Sequence, residues 1–376
     1  MRAAFVSTSL GTGGAEMALL RLLPALRAHG IDAMVVSLRS GGTIGPRLQA
    51  RGIPVAALDL PGVVAAASAW TRLLGCLRSF SPTLVHGWMY HGNLVALAAA
   101  GRLGLPVAWG IRQSLGLGTR DKWLTRRIIA AGARLSNRAD LIVYNSAVSR
   151  AQHEARGYEE ARAVVVPNGF DTEAWRPDET ARLHVRAELR IGPDAPVVAQ
   201  VARYHPGKDY PTLVRAAAQV VAGHPAARFL LVGEGVDSTN EALMALVREL
   251  KLGEKVLMLG RRDDVGRILA AVDIAVLSSA GEGFPNAIGE AMSCSVPCVG
   301  TRVGDLPHLI GDTGEVVPAS DPQALAAALM RLLSMPPAGR RALGARARAR
   351  IVDNFSIDEI AGRYASLLFE VAGKAH

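Results

Sequence analysis

Residues 274–290 read IAVLSSAGEGFPNAIGE. An apolar, partly β-branched run ends at Leu277, a Ser- and Gly-containing turn follows, and Pro285-Asn286 opens a helical pattern, because Pro and Asn suit the start of a helix. Strand, loop and helix in this order predict Glu282 in a loop at the carboxyl end of the strand, free peptide N–H groups near Asn286 and Ala287, and Glu290 one turn deeper. Carboxylates accept hydrogen bonds from sugar or ribose hydroxyls, and a helix N-terminus suits phosphate. Glu282 and Glu290 also fit the acid and nucleophile of a glycoside hydrolase. Those carboxylates must flank one bond, however, and a helix start between these two turns them towards different parts of a ligand.

The alternation of short apolar runs with longer helical patterns extends in both directions over the 376 residues. Strands are predicted at 3–7, 33–38, 55–58, 84–85, 107–109, 141–144 and 164–166, then at 197–202, 229–232, 256–259, 274–277, 297–299 and 315–317. Strands separated by helices predict parallel sheets covered on both faces. Two domains are expected, since single cores stop growing near ~250–300 residues. The turn cluster Pro167-Asn168-Gly169, with Pro177 beyond it, marks the junction. Three helices are predicted in the tail, at 322–333, 339–353 and 357–372. The expected organisation is α/β, with domains at 1–168 and 169–354 and a closing segment at 355–376. Doubly wound sheets take ligands at the carboxyl ends of their strands, so a cleft between two of them is the default site.

Composition excludes several classes. Half the residues are apolar and 20% charged, the range of ordinary folded chains. Cys76, Cys294 and Cys298 form no C-x-x-C pair, and their odd number suits a reducing cytoplasm. The start of the chain carries no signal-peptide pattern, and the best apolar stretch, 94–109, is broken by Arg102 and Pro106, so no membrane span is expected. The net charge of +9 is uneven: residues 1–168 hold 19 Lys and Arg against 8 Asp and Glu. The densest run, 119–138, contains Arg120, Lys122, Arg126, Arg127, Arg134 and Arg138 interleaved with Trp123, Leu124, Ile128, Ile129 and Leu135. This pattern predicts an amphipathic helix whose cationic side is a solvated face, a surface for anionic lipid, or a nucleic-acid patch. No nucleic-acid module accompanies it, so nucleic acid is not expected as a partner.

Two further loops carry chemistry. The first strand runs into Ser7-Thr8-Ser9-Leu10-Gly11-Thr12-Gly13-Gly14-Ala15-Glu16, whose glycines let backbone N–H groups approach an anion at a helix start. The spacing is not G-x-G-x-x-G, and Arg39 rather than an acid follows Leu38, which argues against a dinucleotide oxidoreductase. After the strand ending near Ala202 come Arg203 and Lys208, the fork and point charge that a diphosphate requires. No D-x-D stretch offers a metal bridge to diphosphate, so no metal and no cofactor are expected.

Five segments in this order, Gly13-Gly14-Ala15-Glu16, Pro167-Asn168-Gly169-Phe170-Asp171, Arg203 with Lys208, Gly233-Glu234-Gly235 and Glu282 to Glu290, resemble family-4 retaining glycosyltransferases over essentially the whole chain. Trp88-Met89-Tyr90-His91-Gly92-Asn93 and Trp109-Gly110-Ile111-Arg112-Gln113-Ser114 are similar to a bacterial branch associated with cell-surface polysaccharides. The resemblance implies the GT-B fold, two Rossmann-like domains facing across a cleft, with the last helix crossing back to the first domain. It implies that Arg203 and Lys208 neutralise the diphosphate of a nucleotide sugar, that Glu290 binds ribose and that Glu282 faces the donor sugar. Gly13, Gly14, Gly233, Gly283, Phe284, Asn286 and Ala287 would complete the donor site, with Arg262 beside the base. His91, Asn93 and Arg112 are expected towards the acceptor. Many relatives carry His-x-His after the fourth strand. Here the segment reads His86-Gly87-Trp88, and His91 is expected to serve while His86 joins the core.

The function so implied is metal-independent, retaining transfer of a hexose or N-acetylhexosamine, UDP-sugars favoured, to a glycan or lipid-linked acceptor. It would operate in the cytoplasm, with Arg120, Lys122, Arg126 and Arg127 against an anionic membrane surface. A nucleotide-sugar epimerase of the same architecture would consume donor without acceptor. A non-catalytic partner of polysaccharide assembly would keep the fold without turnover.

Overall fold

The computed structural model describes residues 1–59, 66–115 and 123–373. The chain begins β1 (Arg2–Ser7), α1 (Gly14–Ala28), β2 (Asp32–Ser37), α2 (Ile44–Gln49), β3 (Val55–Ala57), α3 (Ala66–Phe80), β4 (Leu84–Trp88), α4 (Met89–Leu103), β5 (Val107–Ile111), α5 (Trp123–Leu135), β6 (Leu141–Tyr144), α6 (Ala147–Glu154) and β7 (Ala163–Val165). It continues α7 (Glu179–Glu188), β8 (Val197–Val201), α8 (Tyr210–Gly223), β9 (Arg228–Val232), α9 (Glu241–Glu249), β10 (Val256–Gly260), α10 (Val265–Ala270), β11 (Ile274–Leu277), α11 (Asn286–Ser293), β12 (Cys298–Thr301), α12 (Leu306–Ile310) and β13 (Gly314–Val317). It closes with α13 (Pro322–Ser334), α14 (Pro337–Phe355) and α15 (Ile357–Gly373).

One unit holds a seven-stranded sheet ordered β3-β2-β1-β4-β5-β6-β7, the other a six-stranded sheet ordered β10-β9-β8-β11-β12-β13. All the paired strands run parallel. Each sheet is the doubly wound α/β arrangement expected, and its strands read as continuous apolar runs because helices cover both faces. Ala3 to Val6, for example, are wholly buried. The strand order reverses between β1 and β4 in the first sheet and between β8 and β11 in the second, which is where such sheets receive ligands.

The first unit comprises residues 1–169 together with α15, and the second is Phe170–Ser356. Against the expected junctions after 168 and 354, the chain changes unit one residue later at the first and two later at the second, for a packing reason. The Phe170 N–H donates to the Phe355 carbonyl at 2.9 Å, and both rings pack on Phe284, at 6.1 and 6.2 Å between centroids. α15 buries Ile360, Ala361, Tyr364, Ala365, Leu368 and Val371 in the first unit's core with α1. β4 runs three residues beyond the predicted 84–85. Its His86 and Gly87 hide the apolar pattern, yet all five positions are buried. Gly87 is required there, since a Cβ would stand 2.4 Å from Asn93 Cα.

Candidate functional site

In the second unit the loops after β8 and β11 are stitched together at the strand-order reversal. Pro206–Lys208 forms a single 3-10 turn, and Asp209 beyond it adopts φ 46°, a left-handed conformation costly for a non-glycine residue. The Asp209 carboxylate offsets this by capping α8, accepting from the Thr212 N–H at 3.2 Å and the Thr212 hydroxyl at 2.8 Å. Ser278 anchors the turn from the opposite loop. Its hydroxyl lies 2.9 Å from the Lys208 carbonyl oxygen and 3.0 Å from Gln200 Oε1, and Gln200 also accepts from the Ser278 N–H. The Ala280 N–H donates to the Gly207 carbonyl at 3.0 Å.

These bonds bring Lys208 and Glu282 into contact: Lys208 Nζ donates to Glu282 Oε1. The Ser279 hydroxyl donates to the same carboxylate oxygen at 2.6 Å, and the Ser279 carbonyl accepts from the Thr301 hydroxyl at 2.6 Å. The Glu282 side chain is 10% exposed and that of Lys208 24%, so the pair sits at the rim of the sheet, largely shielded from bulk water. Gly304 closes over it, with a left-handed φ of 54° and no room for a Cβ, which would stand 2.5 Å from the Glu282 and Gly283 carbonyl oxygens. The Asp305 N–H donates to the Gly283 carbonyl at 3.0 Å.

α11 starts at Asn286 with no side-chain cap from Pro285, in contrast to the Asp209 cap of α8, and the Asn286 N–H donates to the Phe284 carbonyl at 3.1 Å. Glu290 is buried one turn deeper, and its charge adds to burial in pushing the Cys294 thiol up to about 12. Phe284, expected at the donor, instead turns inward between Phe170 and Phe355 and is a core residue.

Arg203 is exposed and lines an open pocket of about 670 Å³ with Tyr204, His205, Glu234 and Asn240. Gly233 lets the β9 loop close on this segment, because a Cβ would lie 2.0 Å from the Ala202 carbonyl oxygen. Arg262, expected beside a base, is engaged by neighbours: its guanidinium donates to Asp264 at 2.8 and 2.9 Å and to Glu188 at 3.0 and 3.1 Å. The Asp264 hydrogen bonds, more than the Glu188 contact, raise its pKa further.

In the first unit, Gly13 stands in extended conformation before α1, with no side-chain cap, and Gly14 opens the helix. The Glu16 carboxylate folds back so that a Cβ on Gly13 would meet Oε2 at 2.4 Å, and burial raises its pKa. Trp88 takes the second position of the expected His-x-His, where its indole N–H donates to the Ala15 carbonyl at 3.0 Å and braces the glycine loop. His86 is fully buried and stacks on Phe5 at 4.7 Å. Its Nδ1 faces the Gly87 carbonyl and Nε2 lies 2.7 Å from the Tyr364 hydroxyl, so Nδ1 carries the proton and Nε2 accepts. Burial pushes its pKa down to about 3. Met89, two residues before His91, has φ 67°, a second strained position at a strand-order reversal.

His91 is half-buried, and its pKa is lowered by burial and then by the charge of Arg39. Asn93 is buried, and its amide nitrogen donates to the Gly87 and Met89 carbonyls at 3.0 and 3.2 Å, so it braces the turn. Arg112 is also withdrawn. It donates to the Val166 carbonyl and to Asn168 Oδ1, both at 3.2 Å, and its guanidinium lies 4.6 Å from the Trp88 ring and 5.5 Å from that of Tyr364. Trp123 and Leu124 on α5 are 66% and 56% exposed, beside exposed Arg126 and Arg127, and Arg127 lies 4.2 Å over the Trp123 ring. Arg120 and Lys122 fall outside the described residues. Among the described residues no helix is long and apolar enough to cross a membrane, and no group of three His, Cys, Asp or Glu is placed to hold a metal ion.

Sequence reasoning missed Gln200, Ser278, Ser279, Thr301 and Gly304. Their signal was position: each lies at or just beyond the carboxyl end of β8, β11 or β12.

Residues 12–174 match the family model described as glycosyltransferase family 4, and residues 195–335 the one described as glycosyl transferases group 1. The chain is 32% identical over 189 residues to the N-acetyl-alpha-D-glucosaminyl L-malate synthase of Bacillus anthracis, a stretch that is 50% of this chain and 49% of that protein. It is 28% identical over 381 residues to the D-inositol 3-phosphate glycosyltransferase of Kineococcus radiotolerans, covering 90% of this chain and 86% of that one. The chain thus spans about half the length of the first relative and most of the second. Among solved structures, Anabaena HepE in complex with UDP superposes with a TM-score of 0.86 at 23% identity, covering 98% of this chain and 100% of that one, and HepE has also been solved with UDP-glucose.

Proposed function

We propose that this chain, composed of a family-4 glycosyltransferase domain followed by a group-1 glycosyltransferase domain, transfers a sugar with retention from a nucleotide diphosphate sugar, UDP-sugars favoured, to a hydroxyl of a glycan or lipid-linked acceptor. The observation that carries the reading is the contact of Lys208 with Glu282 ahead of the start of α11, at the strand-order reversal of the second sheet. A cation for phosphate, a carboxylate for sugar hydroxyls and the positive end of a helix meet there within one loop pair.

In this reading Lys208 and Arg203 neutralise the diphosphate as the glycosidic bond breaks. The N–H groups of Asn286 and Ala287 add a fixed positive end, and Glu290 accepts from the ribose hydroxyls. Glu282 accepts from hydroxyls of the donor sugar and orients it. The acceptor hydroxyl attacks on the face the diphosphate leaves, and a diphosphate oxygen takes its proton, so the reaction needs neither a protein nucleophile nor a metal. Gly13 and Gly14 serve the phosphate, and His91, half-buried and neutral, serves the sugar side. The names of the relatives include a malate and an inositol phosphate, so small anionic polyols and hydroxy acids join glycans as acceptors to be tried. Exposed Trp123 and Leu124 with Arg126 and Arg127 favour work at an anionic membrane surface, as in cell-surface polysaccharide synthesis.

The test is a panel of UDP-, GDP- and ADP-sugars, scored first for thermal stabilisation and then for transfer to lipid extract and to the small acceptors. Lys208→Ala is expected to lower kcat by about 10²–10³. Sugar release without acceptor, or conversion to an epimer, would refute transfer.

A further inference from the structure

Lys208, the cation assigned to the diphosphate, is itself paired with Glu282, the carboxylate assigned to the sugar. Ser279 holds the shared oxygen Oε1 from a second side, and Thr301 holds Ser279 through its carbonyl. The Lys208 turn is fixed as well, through Ser278 and the Ala280–Gly207 bond. The two partners are therefore held in register by four loop contacts, and neither leaves the pair without losing a charge-assisted hydrogen bond in a partly shielded place. A diphosphate reaching Lys208 must displace Glu282. A carboxylate turned off Lys208 also gives up Ser279, which holds the same oxygen, so a bare nucleoside diphosphate leaves it with nothing in exchange, whereas a nucleotide sugar offers it hydroxyl donors.

On the basis of the donor reading above, we infer that the Lys208–Glu282 pair is a selectivity element: it disfavours bare nucleoside diphosphate relative to nucleotide sugar, and so helps expel the diphosphate product once the sugar has gone. Glu282 thereby sets specificity for the intact donor as well as orienting it, and Ser279 acts as a positioning residue that holds the carboxylate in the resting pair.

Titration calorimetry of the full chain with UDP, and with whichever of UDP-glucose and UDP-N-acetylglucosamine the native chain binds more tightly, tests this. In Glu282→Gln the pair keeps a neutral hydrogen bond but loses its charge assistance, so UDP is expected to bind about tenfold more tightly. The nucleotide sugar is not expected to follow, because its own partner has been weakened, so the ratio of the two dissociation constants falls by about the same factor. Removal of one negative charge without any exchange would tighten both ligands equally, and that result would overturn the inference, as would unchanged UDP affinity. Ser279→Ala leaves both charges in place and is expected to tighten UDP by about two- to fivefold, with product inhibition by UDP rising in parallel. Weaker UDP binding in that variant also counts against the exchange. A native chain that binds none of UDP, UDP-glucose and UDP-N-acetylglucosamine overturns the UDP donor reading itself, an outcome distinct from binding without selectivity.

Discussion

Acid is expected to weaken the first unit through two buried histidines. His86, between Phe5 and Tyr364, has its pKa pushed down to about 3, and His153, between Tyr90 and Ser149, to about 4, in both cases chiefly by burial. In the unfolded chain both titrate near 6.5, so between pH 6.5 and these folded values the unfolded state binds more protons, and stability falls as pH falls. With about 1.4 kcal/mol per pH unit for each group, lowering the pH from 7 to 5 removes about 2 kcal/mol for each histidine and about 4 kcal/mol for both. Carboxylates also titrate in this range, so the comparison needs a variant. His86→Leu with Tyr364→Phe replaces both partners of one hydrogen bond with apolar groups and removes one titrating site. Urea unfolding at pH 7 and pH 5, followed by fluorescence of buried Trp88 and Trp109, should show the variant losing about 2 kcal/mol less than the native chain. Equal losses in the two proteins, or greater stability of the native chain at pH 5, would refute the burial argument.

Phe284→Ala should remove about 3–5 kcal/mol from the second unit, seen as an earlier urea transition, because the ring fills the space between Phe170 and Phe355. Its loss of nucleotide affinity should vanish at a temperature where the variant is fully folded. Arg126→Glu with Arg127→Glu is expected to weaken binding to vesicles of anionic lipid by about 2 kcal/mol or more, read by cosedimentation, and to leave affinity for soluble nucleotide intact. Undiminished cosedimentation would remove the membrane reading alone.

The architecture was legible because each strand of a covered parallel sheet is an apolar run, and those runs survive in one sequence. Each of the thirteen predicted strands is found among the described residues, and β4 was cut short only because His86 and Gly87 look polar until Tyr364, more than 270 residues later, supplies the partner. The contact between Lys208 and Glu282 follows from strand–loop–helix spacing on two neighbouring strands, which a motif reveals. Side-chain direction is less accessible. Phe284 and Arg112 occupy loop positions that look outward from spacing, and Asn93 lies in the first turns of α4, yet each turns inward, towards Phe355, Asn168 and Gly87 in turn. The partners of Arg262 were likewise hidden from spacing, since Glu188 on α7 lies 74 residues before it.

The passage of the chain out of the first unit at Gly169 and back at Ile357 bears on its birth at the ribosome. The second unit is one uninterrupted stretch and can close as soon as it has emerged, whereas the first lacks α15, and with it the hydroxyl that satisfies His86, until the whole of the second unit has been made. The usual order, in which the earlier domain matures first, is thereby inverted. While residues 170–356 are being made the side of α1 that α15 covers waits exposed, which makes the nascent first unit the stretch most in need of a chaperone's shelter.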